Sequence, residues 1–487
     1  MATHDPDYLV IGAGAMGMAF VDVLLTETDA TVVLVDRRSR PGGHWTDAYP
    51  FVRLHQPSSF YGVNSRPLGD DTIDLAGWNA GLYELASASE VCAYFDQVMN
   101  QRFLPSGRVS FFPSCDYGGD GSFTSTMTGA VHAVADGTRV VGATYMNVTV
   151  PATHPPRYEV DPEVRCVPIN GLASIAEPPE RYVIVGAGKT GMDACLWLLA
   201  NDVDPDLITW ITPRDSWVLD RANIQPGPDF APVVIGSAAS QMEVAAGAGS
   251  IDELFAGLEE AGVLLRIDRS VRPTMYRCAT VTKAELDQLR RIENVVRLGR
   301  VRRIGATEIE LDEGSIPTGP GVLHVDCSSD GLARRPVVPI FDGDRITLQT
   351  VRTCQQVFSA AFIAHIEAAY DDPDVKNRLC TVVPHPDTDV DWLRVTLAST
   401  LNAIQWRQDP GLTAWLNDAR LDGFSRTGRY PTARNRSANG PVGDGADEVA
   451  SSGGVLGATR RLLASSGPAV ENLQALLSQA ESRTSSG

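Results

Sequence analysis

The sequence predicts an α/β fold with two dinucleotide-binding, Rossmann-like domains, the second inserted in the first, and a helical C-terminal tail. Two observations carry this. A glycine-rich loop occurs twice, as Gly12-Ala13-Gly14-Ala15-Met16-Gly17 and as Gly186-Ala187-Gly188-Lys189-Thr190-Gly191, about 170 residues apart. Each loop also follows an apolar β-type run (Tyr8-Leu9-Val10-Ile11, then Tyr182-Val183-Ile184-Val185) and opens into an apolar helical stretch. In such a loop the first glycine makes the tight turn out of the strand. The second lets the backbone approach a pyrophosphate, and the third lets helix and strand pack closely. With 44 glycines in 487 residues a bare GxGxxG means little. A strand before it and a helix after it, both times, is the context the motif requires.

The first loop has an acidic partner. A second strand, Thr31-Val32-Val33-Leu34-Val35, ends in Asp36, 24 residues beyond Gly12. There a carboxylate accepts hydrogen bonds from an adenosine ribose. Arg37 and Arg38 follow, and an arginine there can instead mark a 2′-phosphate. The turn Arg40-Pro41-Gly42-Gly43-His44-Trp45 argues for FAD, because two glycines admit a ligand beside an aromatic ring. The second loop lacks a clean acidic partner. Its second strand, 207–212, runs into Pro213-Arg214-Asp215. The guanidinium of Arg214 suits a 2′-phosphate, and Lys189 adds positive charge near the pyrophosphate. This reads as NADPH; Asp215 would favour NADH if it faced inward.

With these residues the chain resembles the class B flavin-dependent monooxygenases: flavin-containing monooxygenases, Baeyer–Villiger monooxygenases and microbial amine N-hydroxylases. Gly12, Gly14, Gly17, Asp36, Gly43 and Trp45 match the FAD part; Gly186, Gly188, Thr190, Gly191 and Arg214 match the NADPH part. By position Gln56, with His55 beside it, matches the polar amide over the flavin. Ala15, Met16, Arg37, His44 and Lys189 complete the expected cofactor contacts. The resemblance implies hydride transfer from NADPH to FAD, a flavin C4a-hydroperoxide formed with O2, and attack by the substrate on its distal oxygen. The segment 150–156 keeps a histidine and prolines but lacks the full Baeyer–Villiger fingerprint, which turns the expectation toward heteroatom oxidation. The Ala-Thr-Gly closing strand of the family is altered to Val325-Asp326-Cys327-Ser328-Ser329-Asp330-Gly331.

The domain reading is 1–177 for the first part of the FAD domain and 178–322 for the inserted NADPH domain. Residues 323–436 form the second part of the FAD domain, and 437–487 a Gly/Ser-rich tail with short helices at 454–464 and 468–478. The chain is expected to return to the FAD domain through 322–326.

Composition agrees with a large globular enzyme. The mass is 52.3 kDa and the mean hydropathy −0.08. No apolar run reaches the ~20 residues of a membrane-spanning helix, and the polar start carries no signal peptide. The expected location is therefore cytoplasmic. A net charge of −19 argues against nucleic acid and anionic membrane as partners. The expected partners are a small-molecule substrate and O2, with a homo-oligomer left open. No two of the eight cysteines lie closer than 23 residues, which predicts scattered reduced thiols, no redox disulfide and no metal site.

The substrate reading is N-hydroxylation of a small polar amine or amino acid, an acidic one such as aspartate included. It rests on Arg290-Arg291, Arg300-Val301-Arg302-Arg303, Arg53, Arg66 and Arg352 as carboxylate clamps. His55, His154 and His365 are weaker acid–base candidates. The rivals are an NADPH oxidase or reductase without oxygen insertion, and a non-catalytic dinucleotide-binding regulator.

Overall fold

The computed structural model describes residues 2–329, 331–423 and 454–485. Two mainly parallel sheets organise it. The first has the order Phe341–Asp342, Arg345–Thr347, Arg139–Gly142, Tyr8–Ile11, Val32–Val35, Val109–Phe112, with only the first pair antiparallel. The second is all parallel: Cys166–Pro168, Val322–Asp326, Arg181–Val185, Ile208–Ile211, Val295–Val296. In both sheets the strand leading into the glycine loop lies inside, flanked on each edge. Such strands are covered on both faces, which is why they read as unbroken apolar runs.

The helix after the first loop, Ala15–Glu27, is apolar nearly all round and buried from Met16 to Leu25. It packs along the equally buried helix Gln356–Ala369. A helix with no polar face needs cover on every side. Its one buried acid, Asp22, accepts from Arg102 Nε at 2.6 Å and from Ser65 N at 2.9 Å.

Two expectations are corrected. The run 322–326 does not lead back to the first sheet. It pairs with Arg181–Val185 inside the second, and Cys166–Pro168 joins the same sheet from before residue 178. The chain re-enters the first sheet at 341–347. The physical reason is that Val322–Asp326 is buried along most of its length, as an interior parallel strand must be.

The tail does not form two short helices. Gly454–Ser485 is one helix with Pro468 inside it. Ala469, Leu473 and Leu476 bury against Met242, Ala245 and Trp392, and Asn472 donates to the Ala245 and Ala248 carbonyls. That packing outweighs the roughly 3 kcal/mol cost of an interior proline. The part of the expected tail at 437–453 lies outside the described residues. Among the described residues no helix is long and apolar enough to cross a membrane, and no His/Cys/Asp/Glu group could hold a metal ion.

Candidate cofactor and active site

Both glycine loops open on one cavity of about 1390 Å³ between the two sheets. From the first unit it is lined by Gly12, Gly14, Ala15, Met16, Asp36 and Arg37, and by Gly43, His44 and Trp45 of the following turn. His55 and Gln56 come from the loop beyond. Gly186, Gly188, Lys189, Thr190 and Arg214 line it from the second unit. Gly17 and Gly191 stand behind the wall, each against the first glycine of its own loop.

The glycines occupy the positions the motif demands. Gly12 and Gly186 have φ of 106° and 130°, which only glycine adopts without strain. A Cβ on Gly17 would collide with the Gly12 carbonyl, and one on Gly191 with that of Gly186. A Cβ on Gly188 would meet nothing within 4 Å, so this backbone faces open space. Neither following helix has a side-chain cap or an acid in its first turn. Their first N–H groups are therefore left for an anion, and the helix dipoles favour one. On that observation the residues present fit two dinucleotide pyrophosphates.

Asp36 is buried at its strand end. It accepts from Ala13 N at 2.6 Å and Arg38 N at 2.8 Å, which ties the loop to the strand. Arg37 is exposed and lies 3.7 Å from Asp116; Arg38 is held by Asp47. Trp45 is fixed by Nε1 donating to Tyr61 at 2.7 Å. Gln56 is half-buried and makes no side-chain hydrogen bond among the described residues, so its amide is free toward the cavity. Burial, with Lys189 and Arg221 nearby, holds the His55 imidazole well below its usual range. Burial pushes His44 down to about 4, helped by Arg38.

The second loop differs in detail from expectation. Lys189 pairs with Asp193 one turn on, and the Tyr49 hydroxyl donates to the other oxygen of Asp193 at 2.5 Å. Lys189 thus reaches the cavity as half of an ion pair. Arg214 makes a two-pronged contact with Asp387 at 2.9 and 3.2 Å. Burial raises the Asp387 carboxyl, but Arg214 and Arg277 outweigh it and hold it at about 2. Asp215 is absorbed by Arg297 at 2.8 and 3.0 Å and does not line the cavity.

The arginine clusters divide. Arg53, Arg300, Arg302 and Arg352 line the cavity, joined by Arg277 and Arg335. Of these, Arg302 pairs with Asp312, Arg352 with Asp422 and Arg277 with Asp387, and Arg53 donates to the Leu85 carbonyl. Arg290 instead binds the Ile267 and Arg266 carbonyls, Arg66 binds Gln97 and Gln101, and Arg303 binds Asp161. His365 pairs with Glu27 away from the cavity; neither buried ring nitrogen of His154 has a partner.

One expectation is overturned. Cys278 and Cys354, 76 residues apart, form a disulfide in the cavity wall. Sequence spacing misses it because the fold, not the chain, brings the two together, with their Cα atoms 6.6 Å apart. The remaining six cysteines are free. Tyr49, Asp193, Asp387 and His385 were also missed. Of these only Asp193 carried a signal, the helical i, i+4 spacing from Lys189.

The NAD(P)-binding Rossmann-like domain family matches residues 10–57, from the first strand through the first loop to Pro57. Uncharacterized protein Rv2000 of Mycobacterium tuberculosis strain H37Rv is 58% identical over 420 residues, covering 86% of this chain and 78% of its own. Uncharacterized protein Mb2023 of Mycobacterium bovis matches to the same extent. The chain belongs to the family of these mycobacterial proteins. Among solved structures, an open form of cyclohexanone monooxygenase is similar over 78% of this chain and 88% of its own, at 15% identity and a TM-score of 0.47. Oxidized steroid monooxygenase bound to NADP is similar over 87% and 94%, at 13% and 0.45. A flavin monooxygenase from Stenotrophomonas maltophilia is similar over 76% and 100%, at 16% and 0.44.

Proposed function

We propose that the protein is an FAD-dependent NADPH monooxygenase that oxygenates a heteroatom of a small substrate. The observation that carries the reading is that both uncapped glycine loops face one cavity. Bound FAD and NADPH supply the hydride and activate O2 there. The first loop and Asp36 hold FAD, and the second loop with Arg214 holds NADPH. The engagement of Asp215 by Arg297 withdraws the acid that would favour NADH, and Arg214 must release Asp387 to meet a 2′-phosphate. Gln56 offers an amide to orient groups at the centre of the cavity. His55, held neutral by burial and by Lys189 and Arg221, lines the cavity beside Gln56 as a neutral hydrogen-bonding group.

The substrate reading is N-hydroxylation of a small amine or amino acid, acidic ones such as aspartate included, with Arg300 and Arg335 of the wall as the carboxylate anchors. An amine reacts only as its free base, so a site that anchors carboxylates while excluding water suits this chemistry. In this reading the protein acts in the cytoplasm.

The test is the spectrum of purified protein, then NADPH added in air with a panel of amines and 18O-labelled O2. A yellow protein bleached by NADPH and an amine product carrying the label are expected. A protein that takes up no flavin on reconstitution sinks the reading. Stoichiometric hydrogen peroxide with every amine sinks oxygen insertion and leaves a reductase, a second reading that the disulfide in the cavity wall favours.

A further inference from the structure

The Cys278–Cys354 bond lies in the wall of the cavity onto which both glycine loops open. Cys278 sits on the strand Met275–Val281 of the second unit. Cys354 sits just before the helix Gln356–Ala369, which packs on the first. Both are half-buried and both line the cavity shared by the glycine loops. Both also hold left-handed backbone, with φ of 56° and 46°, unusual for a side chain larger than glycine. The six free cysteines differ. Burial pushes their thiols up, Cys166 to about 11 and Cys327 and Cys380 further, so they stay protonated and unreactive.

Resting on the flavoenzyme reading above, we propose that Cys278–Cys354 is a redox site that takes two electrons from NADPH by way of the bound flavin. The balance is NADPH + H⁺ + disulfide → NADP⁺ + two thiols. The S–S bond breaks, NADPH is oxidised, and each sulfur gains one electron and one proton. Reduction also cuts the one covalent tie, among the described residues, between the strand of the second unit and the segment before helix Gln356–Ala369.

The test counts thiols in FAD-loaded protein under anaerobic conditions. Protein alkylated in denaturant before and after NADPH is weighed by mass spectrometry. Six modified cysteines are expected before NADPH and eight after it. Full reduction of the loaded protein then consumes roughly two equivalents of NADPH, and roughly one in Cys278→Ser or Cys354→Ser, because each couple takes two electrons. Eight modified cysteines before NADPH overturn the disulfide. Six both before and after, with the flavin bleached, overturn the electron route and leave the flavoenzyme reading intact. Failure to load FAD overturns that reading and the route with it. Protein lacking FAD and given NADPH must stay at six; a count of eight there overturns the part assigned to the flavin.

Discussion

Asp36 is the residue on which the first loop hangs. Its carboxylate satisfies the amides of Ala13 and Arg38, and deleting a charged acceptor from buried donors costs about 1–3 kcal/mol. Asp36→Ala is therefore expected to weaken FAD retention roughly 10- to 100-fold, since about 1.4 kcal/mol is tenfold. Flavin fluorescence during titration of apoprotein measures it; unchanged affinity would remove Asp36 from the site. The buried imidazoles set a pH dependence. His44 and His385 are both pushed down to about 4 by burial, with Arg38 and Arg277 adding to it. Between pH 6.5 and 4 the unfolded chain binds protons that the folded one refuses, so stability falls as pH falls through that window. Melting temperature against pH should show the loss, and His385→Gln should flatten part of it.

At the scale of elements, the loops make a paired prediction. Gly191→Ala drives a methyl into the Gly186 carbonyl, whereas Gly188→Ala places it in open space. The first should lower stability by about 1–3 kcal/mol. The second should melt like the parent but bind NADPH more weakly, because the methyl stands where phosphate approaches. Calorimetry and NADPH titration separate the two; equal melting temperatures would deny the close packing. These loops were legible in the sequence because glycine is required by backbone geometry, a local property. The placement of 322–326 was not, since an apolar run names a buried strand without naming its sheet. The continuous C-terminal helix was hidden by Pro468, whose local cost is overridden by packing on Ala231–Gly247.

For the whole molecule, the site was half legible. Gly12, Asp36 and Gly186 could be singled out from spacing, and Gln56 from the resemblance; all four line the cavity. The partner of Lys189 was legible from helical spacing, but that of Arg214 was not, because Asp387 comes from 173 residues away and a carboxylate on the surface looks the same in sequence. The cysteine pair was invisible for that reason too. Closing a loop of 76 residues removes chain entropy from the unfolded state worth roughly 4 kcal/mol. Dithiothreitol should therefore lower the melting temperature of the parent and leave Cys278→Ser unaffected. Equal response of both proteins would mean the bond adds nothing to stability.

The hydrogen bond from Tyr49 to Asp193 joins the turn beside the first loop to the helix after the second. Under the proposed function it would couple the two dinucleotide sites, since order imposed on Tyr49 by FAD would be felt at the helix that receives NADPH. Linkage then requires that NADPH tighten FAD by the same factor that FAD tightens NADPH. Tyr49→Phe keeps the ring and removes the hydroxyl, and should bring that common factor toward one in both directions of titration.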